Sequence, residues 1–291
     1  MAPSIAEHLF SGALSGLTSS TLLQPFDLLK TRQQQPTSHS RPTILASARS
    51  VLQQDGPRGL WRGTSATLAR NIPGIAMYMT SLSALRARLA LVKVFAAERS
   101  TTSTLPTLSH SGNLLAGAST RVAVGFILNP ISVLKARYES SLHQLPSLPA
   151  ALAALARAGP RELTRGFWAS SLRDAPYAGL FVLSYEGAKK WAGQGSNAGV
   201  LPGWAVHTTS AAAAGTVATL ATHPFDVIKT KIQVRREAQF RGLVPTVQAI
   251  FQTRGLPGFF DGAGLRLTRK VLSSAIGWGV YEGVLVFRSR L

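Results

Sequence analysis

One short pattern occurs three times in this chain and restricts its fold more than any other feature. Pro25-Phe26-Asp27-Leu28-Leu29-Lys30 returns as Pro130-Ile131-Ser132-Val133-Leu134-Lys135, and again as Pro224-Phe225-Asp226-Val227-Ile228-Lys229. The prolines lie 105 and 94 residues apart. Self-similarity at such a period denotes one structural unit used three times. Each copy ends an apolar stretch rich in Gly, Ala and Ser (residues 5–29, 112–128 and 205–222) and opens a charged one. Small residues let helix backbones approach closely. Proline inside a soluble helix costs about 3 kcal/mol, whereas in a bundle neighbouring helices take up the freed carbonyl and a kink is tolerated. The expectation is three kinked helices meeting around an axis.

The rest of each unit also repeats. A basic connector follows the proline and contains a short amphipathic stretch (44–52, 148–155, 243–251). It closes on Asp55-Gly56, Ala158-Gly159 or Arg254-Gly255, and a second apolar segment follows (66–91, 167–191, 265–287). Six segments near the ~20 apolar residues a bilayer requires give an all-α membrane protein. Its six transmembrane helices form three pseudo-threefold repeats around a central cavity, with short amphipathic helices on the connector side. Polar linkers at 96–107 and 193–199 divide it into repeats 1–103, 104–197 and 198–291, together one structural domain. No third is expected to be stable alone.

Mean hydropathy is +0.14, too low for helices that face lipid all round and suited to helices with one lipid face and one polar face. Lys and Arg number 31 against 12 Asp and Glu, a net +19 that fits anionic membranes or anionic substrates. Nucleic acid is disfavoured, because no basic run lies beside stacking aromatics. Cysteine is absent, which excludes disulfides and thiol chemistry. No nucleophile–base pair is evident, so no enzymatic chemistry and no cofactor are expected. His207 and His223 read as helix-end or packing residues rather than metal ligands. The connector arginines place the three connectors on one face of the membrane and both termini on the other.

Counting seven residues from the glycine that opens each second helix gives Gly63 to Arg70, Gly166 to Arg173 and Gly262 to Arg269. Three arginines therefore share one membrane level. Each costs about 2.5–3.5 kcal/mol at a helix centre unless it faces a wet cavity. Arg121, nine residues before Pro130, is a further mid-membrane cation, and Asn71 lines the facing wall. A guanidinium binds a carboxylate in bidentate fashion, and Asp174, beside Arg173, can take an ammonium group.

The acid two residues and the base five residues after each proline can face the axis, each acid meeting a neighbour's base. The full pattern, Pro25, Asp27, Lys30, Arg32, Asp55-Gly56 and Trp61-Arg62-Gly63, repeated in part at Pro130 and Pro224, resembles the mitochondrial carrier family over essentially the whole chain. Repeat 2 departs most: Ser132 replaces the acid, Ala158 precedes Gly159, and Thr164-Arg165-Gly166 lacks the aromatic. Repeat 3 carries Arg254-Gly255 and Phe260-Asp261-Gly262.

The resemblance implies a matrix gate with pairs Asp27–Lys135 and Asp226–Lys30, and Lys229 left without its acid. Gln34 and Gln233 would brace it, with Glu139 at the third brace position as a compensating acid. It implies a cytoplasmic gate drawn from Arg86, Glu186, Lys189 and Glu282, in which only Arg86–Glu282 survives as a pair. It makes Arg70, Arg173 and Arg269 substrate contact points and Arg173-Asp174 an amino-acid signature. Gly56, Trp61, Arg62 and Gly63 would bind cardiolipin. The combination of Gln24-Pro25, Asn129-Pro130 and Arg70-Asn71-Ile72-Pro73-Gly74 is most similar to the branch that imports glycine into the matrix for haem synthesis. This implies alternating access in the inner mitochondrial membrane, termini toward the intermembrane space, by a monomer. The glycine carboxylate would meet Arg173 or Arg121, and its ammonium Asp174. The alternatives are a carrier of another small amino acid or an anionic metabolite, or a non-transporting adaptor on the same scaffold.

Overall fold

The computed structural model describes residues 5–36, 42–92, 109–145, 147–193 and 203–289. Every regular element among them is helical. The first repeat comprises α1 (Ile5–Leu22), α2 (Gln24–Gln34), α3 (Ile44–Asp55) and α4 (Thr64–Leu89). The second comprises α5 (His110–Ile127), α6 (Asn129–Glu139), α7 (Leu148–Arg157), the single turn α8 (Pro160–Leu163) and α9 (Phe167–Gly193). The third comprises α10 (Gly203–Ala221), α11 (His223–Val234), α12 (Leu243–Arg254) and α13 (Ala263–Ser289).

The proline segments break rather than merely bend. Leu23, Leu128 and Thr222, each two residues before its proline, share one conformation: φ −95°, −90° and −94°, with ψ 5°, 3° and 0°. This bridge-region geometry ends one helix, and proline starts the next, where its missing N–H is not needed. The bend between 112–127 and 129–139 is 68°. The residue before each proline then ties the break to the following helix. Gln24 Nε2 donates to the Arg62 carbonyl at 3.1 Å, and Asn129 Nδ2 to those of Leu163 and Arg165 at 2.7 and 3.2 Å. His223 Nε2 lies 3.0 Å from the Asp261 carbonyl. A carbonyl only accepts, so Nε2 carries the His223 proton. Three different side chains thus perform one task, and His223 is a packing residue as expected; the His207 side chain lies outside the described residues.

Around the axis, α1 packs on α4, α4 on α5, α5 on α9, α9 on α10, α10 on α13 and α13 on α1, a closed ring. Small residues set the closest approaches: Ser15 Oγ donates to the Gly277 carbonyl at 2.8 Å, and Phe181, in a stack with Tyr177 and Tyr185, lies against Gly215. At the connector end α2, α6 and α11 contact one another and close the ring. The connector helices pack outside this closure. Ala151 and Leu155 of α7 join Val133 and Leu134 of α6 and Ala66 of α4. Ile250 of α12 likewise joins Val227, Ile228 and Ile232 of α11 and Ala169 of α9. The connector helices α7 and α12 therefore join their own repeats to the preceding ones, so neither of those repeats completes its core alone.

Among the described residues no single helix is long and apolar enough to cross a membrane by length and composition, and one bent pair, α5 with α6, passes that test. The cause is the division of faces. On α4, Ile72, Ile75 and Met79 are exposed at helical spacing, while Arg70 and Asn71 are partly enclosed.

Candidate functional site

Only glycine relaxes freely into φ > 0, and the positive-φ residues among those described are Gly56, Gly63, Gly159, Gly166, Gly255 and Gly262. They flank the turn before each second helix. The second glycine of each pair abuts the brace position of the next repeat: Gly63 faces Glu139, Gly166 faces Gln233 and Gly262 faces Gln34. A Cβ on Gly166 would stand 2.9 Å from Gln233 Cγ. These turns fix how far each second helix slides past the proline helix beside it, and so fix the level of Arg70, Arg173 and Arg269.

At the closed end Lys135 Nζ lies 2.7 Å from Asp27, and Lys30 Nζ 2.5 Å from Asp226. Lys229 Nζ donates to Ser132 Oγ at 3.1 Å. Gln34 donates to Asp226 at 3.2 Å and accepts from Thr230 at 2.7 Å, while Gln233 donates weakly to the Arg165 carbonyl at 3.4 Å. Glu139 accepts from Thr31 and Gln24 at 2.8 and 3.1 Å and stands 3.6 Å from Lys135. It therefore reinforces a lysine that already has an acid. The expectation that Glu139 compensates Lys229 is corrected, because it lies on the α2 side of α6 and meets α2 residues.

The arginine level is joined to this network, a link that sequence reasoning missed. Arg173 Nη1 donates to Asp226 at 2.9 Å. Its Nε and Nη2 hold Asp174 at 2.7 and 3.0 Å. Arg269 pairs with Asp27. Arg173 and Asp174 thus satisfy each other in this conformation, and neither is free as the sequence implied. A fork-shaped donor one residue from an acid reaches it unless something else occupies one of them. Arg70 Nη1 has a 3.5 Å contact to Oδ1 of Asn71, whose Nδ2 donates to Ser20 at 3.1 Å. Arg121 lies over the Tyr78 ring at 4.7 Å. Lys270, likewise unforeseen, lies over Tyr177 at 3.9 Å.

At the opposite end Arg86 is half-buried, and its Nε has no hydrogen-bond partner among the described residues. Glu186 is exposed. The side chains of Lys189 and Glu282 lie outside the described residues, so the Arg86–Glu282 pair does too.

The departures from the repeat signature are repaired in space. In repeat 1 Asp55 stands 3.7 Å from both Arg32 and Arg62. In repeat 2 the acid lost at Ala158 is supplied one turn later: Glu162 meets Arg137 and Arg165, each at 2.5 Å. Burial would raise the Glu162 carboxyl, but the bonds from both arginines outweigh it and hold it below the usual range. In repeat 3 the pair is reversed, Arg254 lying 3.3 Å from Asp261. The signal was present in the sequence, since Arg254 and Asp261 occupy the positions of Asp55 and Arg62.

Trp61 and Arg62 bind within the protein, to the carbonyls of Thr21 at 2.9 Å and His143 at 2.6 Å. A cleft of about 780 Å³ opens beside the equivalent turn of repeat 2, between Gly166–Trp168 and Arg236, Arg241 and Gly242.

Residues 2–92, 106–196 and 202–289 each match the family described as mitochondrial carrier protein. The chain belongs to the mitochondrial carrier family. This carrier is 54% identical to a mitochondrial glycine transporter of Laccaria bicolor, over 97% of each chain. It is 41% identical to one of Emericella nidulans, covering 96% of this chain and 87% of that one. It is 40% identical to one of Mycosarcoma maydis, covering 93% and 82%. The ring of six helices with its connector-side closure is thus the fold of a carrier with three repeats around a central cavity.

Proposed function

We propose that this carrier moves glycine across the inner mitochondrial membrane by alternating access, supplying the first step of haem synthesis. The reading rests on one observation: Arg70, Arg173 and Arg269, with a single adjacent acid at Asp174, in a chain that aligns end to end with mitochondrial glycine transporters. A cationic level with Asp174 adjoining it suits a small zwitterion. The ionic network of Asp27, Lys30, Lys135, Asp226 and Lys229 is the matrix gate, here closed, braced by Gln34 and Gln233. Arg86, Glu186, Lys189 and Glu282 belong to the opposite gate. Asn71 and Arg121 line the route. The connectors face the matrix and the termini the intermembrane space, as their arginines favour. The three repeats form one structural domain and act as a monomer. Substrate binding must favour the occluded form over both open forms, because a ligand shifts an equilibrium only by its differential affinity.

Anionic phospholipid, including cardiolipin, binds at the repeat junctions, as the cleft beside Gly166 with Arg236 and Arg241 supports. Gly56 and Gly63 belong to the corresponding turns of repeat 1, where Trp61 and Arg62 hold the turn in shape.

Uptake of labelled glycine into proteoliposomes tests the assignment. Wild-type protein is expected to take up label and Arg173→Ala to lose most of that uptake. Uptake of a different amino acid or an anionic metabolite, with none of glycine, would overturn it.

A further inference from the structure

The repeat prescribes a carboxylate two residues after each proline, and the chain supplies it at Asp27 and Asp226 but not at Ser132. Asp27 receives Lys135 and Arg269. Asp226 receives Lys30 and Arg173. Each carboxylate thus serves the lysine of one neighbouring repeat and the arginine that descends from another. The threefold relation carries this set onto residue 132, with Lys229 as its lysine and Arg70 as its arginine, and α4 packs against α6 as the relation requires. Residue 132 is serine. Lys229 Nζ donates to its hydroxyl at 3.1 Å. Arg70 Nε is buried without a hydrogen-bond partner. Among the described residues neither Lys229 nor Arg70 has a carboxylate within ion-pairing distance.

A buried ammonium on a hydroxyl, with a partly enclosed guanidinium from the neighbouring helix, forms an expensive arrangement unless an anion completes it. Resting on the reading of the chain as an amino-acid carrier, we propose that the substrate's own carboxylate occupies the missing acid position. It is held there by the Lys229 ammonium, the Arg70 guanidinium and the Ser132 hydroxyl. Serine is smaller than aspartate by one carboxylate oxygen and its carbon, which leaves room where the charge was removed. Asp174 lies within electrostatic reach of both Arg70 and Lys229. A molecule whose ammonium and carboxylate are one carbon apart can therefore place its cationic end toward Asp174. This assigns the carboxylate to a different pair of cations from Arg173, which Asp174 and Asp226 already occupy. The ligand thereby becomes the third ionic contact of the closed network.

Ser132→Asp supplies that carboxylate permanently and tests the proposal. In proteoliposomes the KM for glycine is expected to rise at least tenfold in Ser132→Asp. In Ser132→Asn, of equal size and no charge, it should rise several-fold less. A wild-type KM in Ser132→Asp, or equal losses in the two variants, would overturn the proposal. A second measurement separates this inference from the substrate assignment. In detergent, glycine and acetate are expected to raise the melting temperature of the wild-type carrier, glycinamide is not, and Ser132→Asp should respond to none of the three. If glycine is not carried but acetate stabilises only the wild type, the transport reading fails and the carboxylate site stands. If glycine is carried and carboxylates stabilise both proteins equally, the site is wrong and the transport reading stands.

Discussion

Glu162 shows how a single side chain can sustain a damaged motif. It sits in the one-turn helix between α7 and α9 and takes up both Arg137 and Arg165. Those arginines also cap the end of α11: Arg137 donates to the Gln233 carbonyl at 3.1 Å and Arg165 to that of Ile232 at 2.5 Å. Removing the Glu162 charge loosens the clamp between repeats 2 and 3. Glu162→Gln is expected to lower stability at neutral pH by about 1–2 kcal/mol, the range of a charge-assisted bond discounted for partial exposure. The folded carboxyl titrates below its ordinary 4.5. Its contribution is therefore complete above that pH and is lost as pH falls through the depressed folded value. Melting curves across acid pH check this. The gap between wild type and variant should be present at pH 7 and close under acid; a gap that persists unchanged would contradict the assignment.

At the scale of elements, each turn between a connector helix and the next long helix is held by an ion pair whose polarity is interchangeable. Asp55–Arg62 in repeat 1 and Arg254–Asp261 in repeat 3 are the same link reversed. Asp261→Arg alone places a second cation beside Arg254 and near Lys231, and is expected to lower the melting temperature. Arg254→Asp with Asp261→Arg restores the polarity of repeat 1 and should recover most of the loss. A double-mutant cycle measures the coupling, and additive losses would show that the pair does not act as a unit. The same scale explains the threefold use of glycine at these turns. The pair at Gly159 and Gly166 takes φ of 97° and 71° despite the altered charges between them, so the backbone path is retained where the side-chain pairing has drifted.

For the whole molecule, closure at the connector end follows from where the broken helices converge. α2, α6 and α11 meet on the axis because each proline turns its helix inward. The connector helices α7 and α12 then bind repeats 2 and 3 to their predecessors. A lipid that bridged two repeats would act on the same junctions. A phospholipid with two phosphates is therefore expected to raise the melting temperature of the detergent-solubilised protein. Arg241→Ala, which removes a cation from the cleft rim, should reduce that gain. A gain of equal size from a neutral phospholipid would show that charge is not the recognised feature.

The threefold architecture was legible from the sequence because proline and glycine act through the backbone: their positions dictate where helices break and where φ turns positive, whatever surrounds them. The ladder Arg70, Arg173 and Arg269 was equally visible, since helical spacing from a fixed glycine sets a level. The resemblance implied the pairs Asp27–Lys135 and Asp226–Lys30, but the remaining partners were not visible. That Arg173 meets Asp226, that Arg269 meets Asp27, that Glu139 serves Lys135 and that Glu162 replaces the acid missing at Ala158 are contacts mostly between helices distant in sequence. Ionic partners are chosen by side-chain reach across those interfaces, and reach is a property of the packed helices, so only the tertiary structure decided it.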